Sequence, residues 1–191
     1  MTSSTSAPAR DLALVATFAA LLALLAILPA IPVGPLGVPI TLQTLGVYLT
    51  ALVLGGRRGT AAVGLYILAG LLGLPIFAGG RAGLAIFASP SLGYLLGFLP
   101  AAALTGFLAY RALGRGLRGR GLLPTFTVAA LLGVLVIHLL GVGGLILLGG
   151  LDFSAALLAD VIYWPGDLLK AGLALLLALR LHAVFPALHR R

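Results

Sequence analysis

From Leu122 to Leu151 the chain runs without a single Asp, Glu, Lys or Arg. Such a stretch cannot coat a water-soluble fold, because exposed apolar patches beyond a few hundred Å² drive association. It calls for lipid. The remainder has the same character: 61% of the 191 residues are apolar, 8% are charged, and mean hydropathy is +1.21, whereas a soluble domain carries roughly 25% charged residues. The net charge of +8 does not mark a nucleic-acid binder. The basic residues stand between apolar spans and form no continuous basic domain. The absence of cysteine excludes disulfides and thiolate metal sites.

Crossing ~30 Å of hydrocarbon takes roughly 20 apolar residues per helix. About six spans are expected, giving an all-α polytopic bundle in a single integral membrane domain, with tails at 1–9 and 186–191. The first runs from Leu12 to about Leu28. The second (Ile40 to Leu54) and third (Thr60 to Leu74) flank the basic turn Gly55-Gly56-Arg57-Arg58-Gly59 and are short for a full crossing. The proline-rich segment Ile31–Pro39 reads as a loop, as does the glycine-rich Pro75–Ser91. The fourth span covers Leu92 to Leu113. The fifth starts at Leu122, and Gly141-Val142-Gly143-Gly144 is expected to bend or end it. The sixth runs from near Ser154, the expected N-cap, to about Phe185, with a kink or restart at Pro165-Gly166.

Six crossings put both termini on one side, and the arginines choose it. Arg10, Arg57, Arg58, Arg111, Arg115, Arg118, Arg120, Arg180, Arg190 and Arg191 then lie inside and only Arg81 outside, so the termini are expected to be cytoplasmic. Arg10 before an apolar run also fits a secretory signal, but Asp11 weakens its positive region and no clean small-residue cleavage site follows.

The informative residues are ionisable groups in apolar sequence, which cost about 2.5–3.5 kcal/mol each at mid-membrane. Asp160, Asp167 and Lys170 all fall in the last span. Asp167 and Lys170, at i and i+3, share a helix face. They follow Tyr163 and Trp164, and Pro165-Gly166 suits a helix start whose N–H groups point at the same place. Two readings stand: a pair that only locks helices together, or a pocket in which Lys170 attracts an anion and Asp167 accepts N–H groups or orients Lys170. Asp160, near the outer end of its helix, reads as wetted. The loop Phe77–Ser91, with Gly79, Gly80 and Gly83, lies on the same side and could close such a pocket; Arg81 reads either as a ligand contact or as a solvated loop charge. Thr41, Thr44 and Tyr48 occupy one face of the second span, beside Gln43, as pocket lining or as interhelical glue. His138 stands alone in its helix and reads as structural. The pairs Ala16/Ala20 and Ala19/Ala23 of the first span are either close-packing motifs or ordinary filling.

Enzyme constellations are missing. The chain has no glutamate, no G-x-S-x-G and no G-x-x-x-x-G-K-[ST], so it carries neither H-E-x-x-H zinc chemistry nor a P-loop. Transport by such a chain would draw its energy from a partner or a gradient.

Four blocks, in order, resemble the BioY family, the biotin-specific S components of energy-coupling-factor transporters: Val38-Pro39-Ile40-Thr41-Leu42-Gln43-Thr44-Leu45-Gly46-Val47, Leu54-Gly55-Gly56-Arg57-Arg58-Gly59, Gly73-Leu74-Pro75-Ile76-Phe77-Ala78-Gly79-Gly80 and Tyr163-Trp164-Pro165-Gly166-Asp167-Leu168-Leu169-Lys170. The likeness spans about residues 10–185. It implies a six-helix membrane fold with an outward-facing biotin pocket, no resident cofactor, and a complex with a transmembrane coupling subunit and two ATPase subunits in a prokaryotic plasma membrane. Asp167 and Lys170 match the family's Asp-x-x-Lys, associated with ligand binding. The expected substrate-binding set is Asp167, Lys170, Gly79, Gly80, Phe77, Tyr94, Gln43, Thr44, Trp164 and Arg81. The alanine-rich first helix, through Ala16, Ala20 and Ala23, is expected to dock on the coupling subunit. The chain departs from the family where Ser89-Pro90-Ser91-Leu92-Gly93-Tyr94 replaces the usual Gly-Pro-Thr-Gly-Gly-Tyr. An S component for a different vitamin, or an assembly protein, are the alternatives.

Overall fold

The computed structural model describes residues 6–31, 33, 38–185 and 188. Arg190, Arg191 and much of both expected tails lie outside the described residues, as do positions 32 and 34–37 of the expected loop. The described chain is helical throughout, with no strand beyond two isolated bridges. In order come α1 (Ser6–Ile27), α2 (Gln43–Leu71), α3 (Leu92–Gly114), α4 (Leu123–Leu147), α5 (Phe153–Val161) and α6 (Trp164–Val184). Short 3₁₀ turns occupy Ala78–Gly80, Gly83–Ala88 and Gly119–Leu122. The stretches Pro8–Ile27, Leu92–Gly114 and Gly119–Leu147 are long and apolar enough to cross a membrane.

Helix α2 is two arms. Gly55 has φ 80° and ψ 179°, a region open essentially to glycine alone, and the chain reverses there. A Cβ on Gly59 would stand 3.1 Å from the Ala51 Cα, and Gln43 meets Tyr66 across the arms, so residues 43–54 and 56–71 run antiparallel. These arms cover most of the residues expected as the second and third spans. Every residue from Gln43 to Gly55 is buried, as befits a helix apolar on nearly all sides. At 1.5 Å per residue the first arm is only about 18 Å long. A short central arm, surrounded by protein, leaves room for a cleft beyond its end.

Around this arm pack α1, α3 and α6. On α1, Leu22 and Ala26 face inward and Leu22 closes on Gly46. The α3–α4 contact is a seam of glycines. Gly93 lies against Leu140 O and Gly144, Gly97 lies 2.9 Å (as an added Cβ) from the Ile137 Cα, and Gly141 faces the Tyr94 ring. Small residues let backbones approach in lipid, where packing drives association. This seam corrects the expectation for 141–144: α4 runs unbroken to Leu147, and Gly141 and Gly144 admit a neighbour without interrupting the helix.

The stretch expected as a sixth span divides at the expected place. Helix α5 ends at Val161, α6 restarts at Trp164, and Pro165 sits in its first turn, where the missing N–H costs nothing. The N-cap of α5 is Asp152 and not Ser154: its carboxylate accepts from the Ala155 N–H at 2.8 Å and the Ser154 hydroxyl at 2.7 Å. Those bonds hold its carboxyl below the usual range. Leu92 opens α3 with helical backbone, and among the described residues no non-glycine has positive φ, so the departure from the family's glycine imposes no left-handed geometry.

The bundle has two chemically different ends. At one, Arg58 pairs with Asp11 at 2.7 Å and donates to Leu188 O, while Tyr110 donates to Val53 O at 2.7 Å. This end gathers the start of α1, the Gly55 turn with Arg57 and the Arg111 end of α3. At the other, Tyr163 donates to Val38 O and Tyr66 to Ile76 O, both at 2.9 Å, and Arg81 stands on the connection there.

Gly55→Ala is expected to lower stability in detergent by at least about 2 kcal/mol, from backbone strain and from a Cβ forced to 2.6 Å from the Tyr110 ring. Gly172→Ala, where an added Cβ meets nothing within 4 Å, is expected to be neutral or stabilising. Thermal unfolding of the two variants checks this.

Candidate functional site

Beyond the end of the first α2 arm lies a cleft with about 600 Å³ of space free of protein atoms, its open mouth included. The chain entering α2 supplies Val38, Pro39, Ile40 and Thr41, and α2 itself Gln43 and Thr44. Helix α3 supplies Tyr94, Leu95 and Phe98, α6 supplies Asp167 and Lys170, and Tyr163 comes from the α5–α6 break. Phe77, Ala78, Arg81, Ile86 and Ser91 line it from the α2–α3 connection. The wall is thus largely apolar and aromatic with a few convergent polar groups, the usual make-up of a small-molecule site.

Asp167 and Lys170 are 5% and 9% exposed. The Lys170 Nζ donates to Asp167 Oδ1 at 2.7 Å and to Thr44 Oγ1 at 3.2 Å, and the Thr44 hydroxyl donates to the same Oδ1 at 2.9 Å. A buried pair recovers its desolvation cost only when further hydrogen bonds complete it, and Thr44 provides one. The restart of α6 puts both residues in its first turns, facing α2.

Arg81 stands on the connection, half-buried. Its Nε donates to Ala78 O at 3.0 Å and its Nη1 to Ser89 Oγ at 2.8 Å; burial lowers its pKa. It is held on the cleft wall, not free in solvent. Gly79 and Gly80, with φ 73° and 72°, turn the chain so that the Phe77 N–H reaches Arg81 O at 3.0 Å. They shape the connection and do not line the cleft. Gln43 donates to Tyr66, which meets the Phe77 ring edge-on at 5.8 Å, tying the connection to both arms of α2. The face Thr41-Thr44-Tyr48 divides: the threonines line the cleft, while Tyr48 is buried deeper, its hydroxyl without a hydrogen-bond partner among the described residues.

Behind the cleft is a second layer. Asp160 is 3% exposed, not wetted. It accepts from Tyr94 Oη at 2.7 Å and Trp164 Nε1 at 2.7 Å, and its oxygens stand 2.8 and 2.9 Å from His138 Nδ1. Trp164 therefore stands outside the cleft, stacked on His138 at 4.5 Å. His138 is not alone, as its sequence neighbours implied: its Nε2 lies 3.5 Å from Asp167 Oδ2. The glycine at 141, by admitting the Tyr94 ring, lets α3 reach Asp160.

Sequence reasoning missed the apolar lining, namely Ile86, Leu95, Phe98 and Tyr163. The spacing Tyr94–Phe98 (i, i+4) was its one available signal. Nothing local could join His138 to Asp160. Of the alanines on α1, Ala16 and Ala20 are exposed, Ala23 is half-buried and Ala19 is buried against the bundle.

An apolar helical bundle with a polar-floored, apolar-walled cleft at one end defines a membrane protein built around a small-molecule site. The sequence matches the BioY family over residues 1–187. It is 42% identical over 183 residues to a biotin transporter BioY of Rhizobium etli, covering 95% of this chain and 98% of that one. It is 39% identical over 151 residues to a biotin transporter BioY of Rhodobacter capsulatus, covering 70% and 73%. The fold matches the crystal structure of the S-component for biotin from an ECF-type ABC transporter with a TM-score of 0.84 at 29% identity, over 96% of this chain and 95% of that one. This chain belongs to the BioY family, whose named relatives are transporters and not enzymes.

Asp160→Ala strands Tyr94, His138 and the half-buried Trp164 and is expected to destabilise the protein by about 3–5 kcal/mol. Asp152→Ala, on the surface, is expected to cost far less. Unfolding in detergent compares them.

Proposed function

We propose that this chain is the biotin-capturing S component of an energy-coupling-factor vitamin importer in a prokaryotic plasma membrane. The carrying observation is the pairing of one ammonium, Lys170, with one carboxylate, Asp167, on the wall of an otherwise apolar cleft. Biotin presents a carboxylate, a ureido group with donors and an acceptor, and an apolar ring with its chain. A cation, an acceptor and an aromatic wall are the complement it requires. Lys170 meets the anionic or carbonyl oxygen, Asp167 and Thr44 face donors, and Phe77, Tyr94 and Phe98 pack on the apolar part. Arg81 stands at the cleft as a second cation.

One membrane domain with six crossings and cytoplasmic termini is supported by the gathering of arginines at the end away from the cleft, which the positive-inside rule assigns to the cytoplasm. The cleft then opens outward. Docking on a transmembrane coupling subunit, itself joined to two ATPase subunits, is supported by the outward-facing small residues Ala16 and Ala20 on α1. The chain has no P-loop, so ATP hydrolysis belongs to those partners. No resident cofactor enters this reading.

Purified protein is expected to bind biotin in a calorimeter in preference to thiamin and riboflavin. Lys170→Ala is expected to weaken biotin about 10–100-fold, the worth of a charge-assisted hydrogen bond, and to weaken biotin's uncharged amide less. Equal losses for both ligands would remove the charge role of Lys170. If Asp167→Asn with Lys170→Met kept the melting temperature and the wild type bound no vitamin, the pair would be only a helix clamp.

A further inference from the structure

The cluster behind the cleft does not balance with one cation. Asp160 takes hydrogen bonds from Tyr94 and Trp164. Indole Nε1 is a donor only, so Asp160 serves as an acceptor. Asp167 accepts an ammonium and a hydroxyl on Oδ1. With both carboxylates ionised, Lys170 compensates only one of them. The remaining group near both is His138, 1% exposed: its Nδ1 is hydrogen-bonded to Asp160 Oδ1 at 2.8 Å, and its Nε2 lies at ion-pair distance, 3.5 Å, from Asp167 Oδ2 without forming a hydrogen bond. A neutral imidazole has one N–H and one lone pair. In either tautomer the lone pair would face a carboxylate oxygen, in a setting where like charge is poorly screened. A doubly protonated ring donates to Asp160, sets positive charge 3.5 Å from Asp167 and brings the cluster to zero net charge. Its stacking on Trp164, with centroids 4.5 Å apart and planes 29° apart, suits a cation over an aromatic face.

We propose that His138 is a positioning residue held as the imidazolium: it is the second cation of a charge-balanced buried cluster and braces Asp167 from behind, leaving Lys170 available to an anionic ligand. The last clause rests on the biotin reading of the cleft. The charged groups acting on the ring are Asp160 from α5 and Asp167 from α6, with Lys170 beyond Asp167. Among the described residues, α3 sets the uncharged Tyr94 hydroxyl on Asp160 and α2 sets the uncharged Thr44 hydroxyl on Asp167. When a carboxylate draws on the Lys170 ammonium, Asp167 loses part of its compensation, and the brace from His138 keeps it ionised and in place.

Nitrogen NMR of protein labelled with ¹⁵N-histidine in detergent tests the ring directly. The chain has three histidines, and His138 is assigned by its loss in His138→Gln or by elimination with His182→Gln and His189→Gln. Both ring nitrogens are expected to stay protonated from about pH 6 to about pH 8, across the range where a free imidazole loses its proton. One bare nitrogen throughout that range, including the case in which Asp167 carries the proton, overturns the proposal. Biotin titration supplies the second readout. His138→Gln is expected to weaken binding about tenfold or more, and adding Asp160→Asn, which restores zero net charge, is expected to recover most of it. A merely structural histidine predicts a double variant no better than the single one. A doubly protonated ring in a wild type that binds no biotin would sink the ligand reading while leaving the charge balance standing.

Discussion

The contact of Lys170 with Asp167, closed by Thr44 and backed by His138 and Asp160, is the constraint around which this bundle is organised. In a low-dielectric interior an ion left alone is expensive, and removing one member of a buried pair costs more than the pair contributes. Four structural elements must therefore arrive together. Helix α2 brings Thr44, α4 brings His138, α5 brings Asp160, and α6 brings Asp167 and Lys170. Misplacing any of them strands a charge. The cluster thereby selects one packing among the many that apolar helices permit.

Two backbone features make that assembly possible. The reversal at Gly55 stops the first arm of α2 about 18 Å from its start, with its polar end, Gln43 and Thr44, facing the cleft. The break between α5 and α6 lets Asp160 and Asp167 reach opposite nitrogens of one imidazole. Continuous helices at these two places would span the bilayer more simply but would carry the polar residues past one another. The α3–α4 glycine seam serves the same end, bringing Tyr94 close enough to bond Asp160.

Much of the plan was readable in one dimension. The helices on either side of Gly55, the loop with Arg81, the restart near Pro165 and the Asp167–Lys170 face all follow from apolar period and breakers. The errors share a cause. Asp160 read as wetted and His138 as solitary because each was judged by its neighbours in sequence, and Gly141 and Gly144 read as breakers because a helix partner was not in view. In each case the deciding contact lies on another helix.

By itself, the sequence determined that this chain belongs in lipid, where its helices begin and break, which end carries the arginines and which two ionisable residues share a turn. These depend on local composition and on hydrogen bonds within one segment. The tertiary structure alone decided that Asp160, His138 and Asp167 form a single electrostatic unit, that Trp164 stands behind the cleft while Tyr163 lines it, and that the glycines of α4 are a packing seam. Such facts turn on the relative rotation of packed helices. A residue's identity does not carry that information; side-chain interlock and the cost of an unpaired buried charge impose it.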